Sequence, residues 1–395
     1  MMKMNKREIA NRKLGLYFHI PFCKERCSYC DFLTFPHVEA YHSPYIDSLI
    51  GEIRLWSQKL KDRNYLIDSL YIGGGTPTII SDADLKRLFK AIRAGFTISE
   101  DAEWTIEANP GTLSESKLDI FQEAGVNRIS LGVQTMSEKL IDFCKRDQTP
   151  DGVYKDVELV RSRNYFDLNL DFIFSIPGQT HEDLDMDLRA IGKMDPDHVS
   201  YYSLIIEDRT LLKFWIEKGK VAPNPESREV ELMTGAYKGL EDLGYKRYEI
   251  SNFSKRGKES RHNLKYWSLD EYLGLGLGAA SYMNHERFSN TRNIQKYIES
   301  IAQDGLPFSI EKRNRDDDIF EGLMMGFRKI SGIDRRRFKD LMGEDPLERA
   351  GAYFNVEKER GLVEWDDDRV RLTKKGLDLQ NSFLSGLMEY FDIFI

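Results

Sequence analysis

Along the first half of the chain, short apolar or alternating runs take turns with longer stretches whose apolar residues return every three or four positions. The short runs predict strands at residues 16–20, 69–72, 103–107, 128–133, 167–174 and 199–205. The longer stretches predict amphipathic helices at 44–60, 82–94, 114–124, 137–143 with 151–163, and 181–194. Strand and helix in rotation build parallel βα units, which suit an open doubly wound sheet or a partial barrel. Either arrangement gathers its chemistry at the C-terminal ends of the strands.

The rotation fades after residue 206. A helix is expected at 226–243, closed by Gly244, and the glycine-rich stretch 272–282 is expected to pack closely against other backbone. The charge run EKRNRDDD, residues 311–318, reads as a linker. Beyond it the pattern predicts helices at 319–329, 335–342 and 346–360, two short strands around an Asp-rich turn, and a last helix. Together these suggest a winged-helix-like module. The chain then divides into 1–206, a barrel extension over 207–305, and a small α+β domain over 306–395.

Composition changes this picture little. A formal net charge of −8 gives no general attraction to nucleic acid, so the last module is expected to pack or to meet a protein partner rather than DNA. No apolar run approaches the ~20 residues of a membrane span. The opening MMKMNKREIANRK is basic with no apolar run behind it, which reads as a solvated leader rather than a signal peptide. Four cysteines in 395 residues make no disulfide framework and suit a reducing cytoplasm.

Three of those cysteines, Cys23, Cys27 and Cys30, fall in YFHIPFCKERCSYCDF with the spacing C-x3-C-x2-C. Thiolates suit soft metals. A zinc site would want a fourth donor, which His19 or His37 could supply. A four-iron cluster on three cysteines instead leaves one iron open to a further ligand. The motif follows the first predicted strand, where Pro21 and Phe22 stiffen and shield it. Cys144 stands alone in a helical pattern and reads as a small buried thiol.

GGGT, residues 73–76, follows the second strand; its glycines admit a ligand to the backbone or simply make a turn. Glu107 and Gln134 end the third and fourth strands, facing the chemical end of the fold. Asp171 lies mid-strand among apolar residues, so it must bind a ligand or be paired, a salt bridge to Arg146 being one way. Tyr17 and Tyr29 border a ligand or pack in the core. In HNLKYW, residues 262–267, a helix would put His262 and Tyr266 on one face with Trp267 beside them. Neutral imidazole is a common haem ligand. A surface histidine beside two core aromatics is the plainer alternative.

Taken in order, LYFHIPFC with C.YC, YIGGGTPT, IEANPG, LGVQT and DFIFSIPGQT resemble the radical S-adenosylmethionine (SAM) enzymes, and within them the coproporphyrinogen dehydrogenase branch. The resemblance spans roughly residues 16–290. It implies a partial (β/α)6 barrel, a 4Fe-4S cluster on Cys23, Cys27 and Cys30, and SAM on the open iron. It implies SAM contacts from Tyr17, Tyr29, Gly74, Gly75, Thr76, Glu107, Gln134, Arg146 and Asp171. The dehydrogenases carry a further cysteine, as C-x-C, where this chain has CDF. CDF together with H-N-x-x-Y-W resembles the haem-chaperone members of the branch. That likeness implies haem at His262, Tyr266 and Trp267, and delivery of haem to an acceptor protein. The implied partners include membrane haemoproteins met peripherally, and a dimer is compatible. Radical decarboxylation of coproporphyrinogen III and a zinc-stabilised scaffold are the competing functions. Two histidines usual in the family are missing: G-A-H-S reads GAAS at Ala280, and none follows Arg146 in KRDQT.

Overall fold

The computed structural model describes residues 12–393, and the basic N-terminal stretch before them lies outside the described residues. Six parallel strands pair side by side in chain order: β1 (Arg12–Ile20), β2 (Tyr65–Gly74), β3 (Ile98–Ala108), β4 (Arg128–Gln134), β5 (Asp167–Phe174) and β6 (His198–Ser203). Helices α1 (His42–Leu60), α2 (Asp82–Gly95), α3 (Glu115–Ala124), α4 (Glu138–Phe143) with α5 (Pro150–Ser162), and α6 (His181–Met194) connect them. This is the partial barrel, and each expected strand and helix is present with its ends moved by a few residues.

One face of each strand is apolar. Leu16, Phe18, Leu70, Ile72, Trp104, Ile106, Leu131 and Phe172 bury against Leu49, Ile53, Leu88, Phe121 and Ile191 of the helices. The alternate residues point the other way. They include Ser69, Tyr71, Glu103, Thr105, Ser130, Asn169 and Ser200, so the barrel interior is polar. Ser81, Ser114, Thr149 and Thr180 each accept a hydrogen bond from the third N–H of the helix they precede. Each such cap stabilises its helix by ~1 kcal/mol and fixes where the loop after a strand ends.

The segment after β6 holds α7 (Leu211–Glu217), α8 (Glu226–Asp242), β7 (Asn252–Ser254), α9 (Arg261–Ser268), β8 (Tyr272–Leu275), β9 (Ala280–Met283), β10 (Glu286–Asn290), α10 (Ile294–Ala302) and β11 (Phe308–Ile310). It extends the barrel through the sheet itself. β8 pairs parallel to β1, and β9, β10 and β11 follow antiparallel. These strands are three to five residues long, too short for their pattern to show a period. Gly276, just past β8, has φ +97°, and a Cβ there would stand 2.6 Å from Tyr45 Oη and 2.7 Å from the His19 carbonyl oxygen.

The chain forms two compact units. The first holds the residues up to Lys246, Phe253–His262 and Glu271–Ile310; the second holds Arg247–Asn252, Asn263–Asp270 and Glu311–Ile395. In the second, α11 (Arg315–Gly326), β12 (Ile333–Asp334), α12 (Arg335–Met342), α13 (Pro346–Glu359), β13 (Val363–Trp365), β14 (Arg369–Leu372), α14 (Lys374–Asp378) and α15 (Gln380–Tyr390) enclose Phe327, Phe354 and Phe383. Its three strands run in the order β12–β14–β13, a winged-helix-like arrangement. Trp267, Ser268 and Asp270 belong to this unit: Arg328 lies 4.3 Å from the Trp267 ring, and Lys329 Nζ donates to Ser268 Oγ at 3.0 Å. Residues 311–318 are no simple linker. Asn314 and Asp317 form a capping box, and the acids at 316–318 sit in the first turn of α11, where the helix dipole favours them.

Candidate functional site

The cysteine loop leaves β1 and is closed at its neck by a parallel pairing of Phe22–Cys23 with Phe35–Pro36. Ser28 anchors its middle. The Ser28 N–H donates to the Cys144 carbonyl at 3.0 Å, its hydroxyl donates to that of Phe143 at 3.0 Å, and its own carbonyl accepts from the Leu212 N–H at 2.7 Å. Cys23, Cys27 and Cys30 are free and half-buried. Burial pushes the Cys23 thiol up to about 11 and raises that of Cys30.

The GGGT loop is stitched to this loop. The Gly75 N–H donates to the Ile20 carbonyl at 2.9 Å and the Thr76 N–H to that of Phe22 at 2.7 Å. A Cβ on Gly75 would stand 2.4 Å from the Phe22 carbonyl oxygen and 2.9 Å from Cys23 Sγ. Glycine is therefore needed here for contact between two loops of the protein, before any ligand is considered. Gly74 has φ +119° and packs on the His19 ring.

Neither nearby histidine serves as a fourth donor. His19 Nε2 lies 3.0 Å from the Leu33 carbonyl oxygen and Nδ1 lies 2.8 Å from Tyr17 Oη. A carbonyl only accepts, so Nε2 carries the proton and Nδ1 accepts from Tyr17. His37 pairs with Glu25 at 3.3 Å on the surface. Among the described residues, no group of three or more His, Cys, Asp or Glu could hold one metal ion. An all-sulfur donor set on one loop fits an iron–sulfur cluster, in which each cysteine takes a different iron.

Arg146 braces the same loop. Its Nη2 donates to Asn109 Oδ1 at 2.9 Å and to the Gly132 carbonyl at 2.5 Å, while Nη1 lies 3.4 Å from Tyr29 Oη and 3.5 Å from Cys27 Sγ. Gln148 of KRDQT accepts from its Nε at 2.8 Å, so Arg146 is held without the missing histidine. The expected alternative of an Arg146–Asp171 salt bridge is not what forms. Asp171 accepts from Ser130 Oγ at 2.9 Å and Asn169 Nδ2 at 2.8 Å, and burial raises its pKa. A cavity of about 310 Å³ opens between Cys27, Thr76, Asn109 and Arg146.

Glu107 lies near the C-terminal end of β3, outside the lining of this cavity. Its Oε1 accepts from Tyr71 Oη at 2.7 Å and its Oε2 from the Gly74 N–H at 2.9 Å. Burial pushes its carboxyl up to about 7, with the nearby Asp171 adding to the shift. Gln134 is half-buried at φ +68°. The turn after it is held by Asp187, which accepts from Thr135 Oγ1 at 3.1 Å and the Met136 N–H at 2.6 Å.

The start of α9 closes the opposite side. The backbone N–H groups of Arg261 and His262 donate to Glu103 at 3.0 and 2.9 Å. His262 is wholly buried, its Nδ1 2.9 Å from Ser69 Oγ, and its ring stacks on Tyr71 with centroids 5.4 Å apart. Residues 261–268 are helical, as a shared His262–Tyr266 face requires. His262 counts with the first unit, Tyr266 and Trp267 with the second. The plainer alternative is inverted: the histidine is the core residue, and the two aromatics are half-buried. Ala280 is exposed at the start of β9.

Sequence reasoning missed Tyr71, Asn109 and Glu52. Tyr71 lies two residues before Gly73 on β2, and that spacing places it on the same face. Glu52 lies on the apolar face of α1, seven residues after Tyr45. It accepts from the Gly276 N–H, Asn290 Nδ2 and Tyr297 Oη, each at 2.7 Å, and so fixes the glycine-rich loop after β8.

Residues 17–191 match the Radical SAM superfamily, and residues 314–379 match the HemN C-terminal domain. The heme chaperone HemW of Bacillus subtilis is 34% identical over 377 residues, covering 94% of this chain and 98% of the relative. HemW of Lactococcus lactis is 33% identical over 367 residues, covering 93% and 95%. Among solved structures, the coproporphyrinogen III oxidase HemN of Escherichia coli, a radical SAM enzyme, shares the fold with a TM-score of 0.81 at 22% identity, over 95% of this chain and 91% of that one.

Proposed function

Because the chain belongs to the family of the haem chaperone HemW, within the radical SAM superfamily, we propose that it binds haem and hands it to an acceptor protein from a barrel that also holds a 4Fe-4S cluster and SAM. The observation that carries this reading is the pairing of CDF after the third cysteine with HNLKYW in a chain alike to HemW over nearly its full length. Phe32 of CDF is 69% exposed, where the dehydrogenases of the branch carry a cysteine.

Cys23, Cys27 and Cys30 would hold the cluster, which supplies an electron and an open iron to SAM. Arg146 steadies the loop through Cys27 and Tyr29. Gly74, Gly75 and Thr76, whose N–H groups are taken up by Glu107, Ile20 and Phe22, would border SAM, Glu107 would accept from its ammonium group, and Tyr17, Gln134 and Asp171 would complete the surround. His262 would bind the haem iron, with Tyr266 and Trp267 offering ring faces to the porphyrin. Since His262 is wholly buried, its use requires the first turn of α9 to open. The free thiols fit a reducing cytoplasm. No helix among the described residues is long and apolar enough to cross a membrane, so contact with a membrane haemoprotein would be peripheral.

Anaerobic reconstitution followed by haem titration and a 5′-deoxyadenosine assay on the same sample tests the reading. Haem affinity is expected to drop in His262→Ala; equal affinity in both proteins removes the proposed ligand. Formation of protoporphyrinogen from coproporphyrinogen would favour the dehydrogenase instead, and a colourless protein with stoichiometric zinc would sink both.

A further inference from the structure

Three rings stand in a column inside the barrel. Tyr17 stacks on Tyr71 with centroids 6.2 Å apart and planes at 28°, and Tyr71 stacks on His262 at 5.4 Å and 30°. The middle ring also carries the hydroxyl that donates to Glu107. We propose that Tyr71 is a positioning residue that couples His262 to Glu107, so that a change at the HNLKYW motif is felt by the carboxylate facing SAM. The coupling rests on the proposed roles of Glu107 and His262, whereas the geometry that carries it does not.

β2 presents Ser69, Tyr71 and Gly73 to the interior at every second position. Each of the three serves the same arrangement. Ser69 Oγ holds His262 Nδ1 at 2.9 Å. Tyr71 bridges ring and carboxylate. Gly73 is small because a Cβ there would stand 2.8 Å from Glu107 Oε2 and 2.9 Å from the Tyr71 ring. Glu107 has two anchors, the Gly74 N–H from the GGGT loop and the Tyr71 hydroxyl.

Of these two anchors, the hydroxyl is the one tied to α9. If His262 swings out to take a haem iron, Tyr71 loses the ring that supports one of its faces. Its hydroxyl then no longer has a fixed place, and a buried carboxylate keeps one donor of two. A buried acid with fewer donors holds its charge less well and attracts an ammonium group less strongly. Linkage makes the effect reciprocal: bound SAM makes His262 harder to release.

The test uses the full chain, reconstituted anaerobically. SAM affinity is measured by equilibrium dialysis and by the change that SAM makes in the EPR signal of the reduced cluster; haem affinity is measured by titration. Tyr71→Phe keeps the ring column and removes one hydrogen bond to a charged group, which is expected to weaken SAM binding about 10-fold. Its haem affinity is expected to stay unchanged. His262→Ala is expected to weaken SAM binding about 3-fold in the natural background and not further in Tyr71→Phe, the signature of two residues on one route. His262→Phe restores a stacked ring and is expected to restore SAM binding while still failing to bind haem. SAM affinity unchanged in Tyr71→Phe, or an equal fold loss from His262→Ala in both backgrounds, overturns the coupling. Haem affinity unchanged in His262→Ala would instead overturn the haem-ligand role, with the SAM measurements still deciding the coupling.

Discussion

Glu107 is a carboxylate placed to change its charge near neutrality. Burial raises it to about 7, the charge of Asp171 adds to the shift, and the Tyr71 hydroxyl and Gly74 N–H draw it back. Below that value the side chain is neutral and offers an ammonium group little. SAM affinity is therefore expected to fall as pH drops from about 8 to about 6, and Glu107→Gln is expected to bind weakly with a flat profile. Equilibrium dialysis across that range checks both. The cysteines make a second contrast. Cys144 is buried among Leu140, Ile173 and Ile176, and burial pushes its thiol up to about 12. Cys144→Ser is expected to keep the iron and sulfide content of the reconstituted protein, whereas serine at 23, 27 or 30 is expected to lose most of it. At this scale the sequence was legible wherever a side chain acts next to its own motif. The placement of the three cysteines on the loop after β1, and of Glu107 and Gln134 near the C-terminal ends of β3 and β4, could be read that way. Tyr71 and Glu52 could not, because their meaning lies in partners 36 and 224 residues away.

Among the elements, the loop pair of cysteines and glycines is the most tightly specified. Gly75→Ala puts a methyl group against the Phe22 carbonyl and Cys23 Sγ, and both are held by the strand neck. The variant is expected to fold, since the strain falls on a loop, but to take up less than half of the normal iron and sulfide on reconstitution. Iron content beside a circular dichroism melt separates the two outcomes. The helices were readable because their apolar faces repeat and their caps are Ser and Thr. β8 to β11 were not, because strands of three to five residues are too short to carry a measurable period. Residues 311–318 misled for a different reason: a cluster of charges looks like a linker until Asn314 and Asp317 are seen as a capping box.

For the molecule as a whole, charge sets what is expected of the winged-helix-like unit. α12 holds the sequence RRRFKDLM and looks basic, but Arg335 pairs with Asp345 at 3.1 Å, Lys339 with Glu348 at 3.3 Å, and Arg337 with Asp270. Arg336 is exposed and in none of these pairs, but with a net charge of −8 around it the helix offers phosphates little. No retardation of duplex DNA is expected at about 100 mM salt in a mobility assay. The run of parallel βα units was legible because six of them in rotation admit few arrangements. The interleaving of the two units was not, since nothing local marks 247–252 and 263–270 as belonging with the chain beyond 310. That interleaving has a consequence during synthesis. Trp267 leaves the ribosome about 60 residues ahead of Arg328, the cation it stacks against. At ~5–20 residues per second it must wait roughly 3–12 s, an apolar ring without its partner, while the rest of its unit is still being made. A stalled or truncated chain ending near residue 310 would keep that ring bare, and is expected to appear in the insoluble fraction or bound to a chaperone.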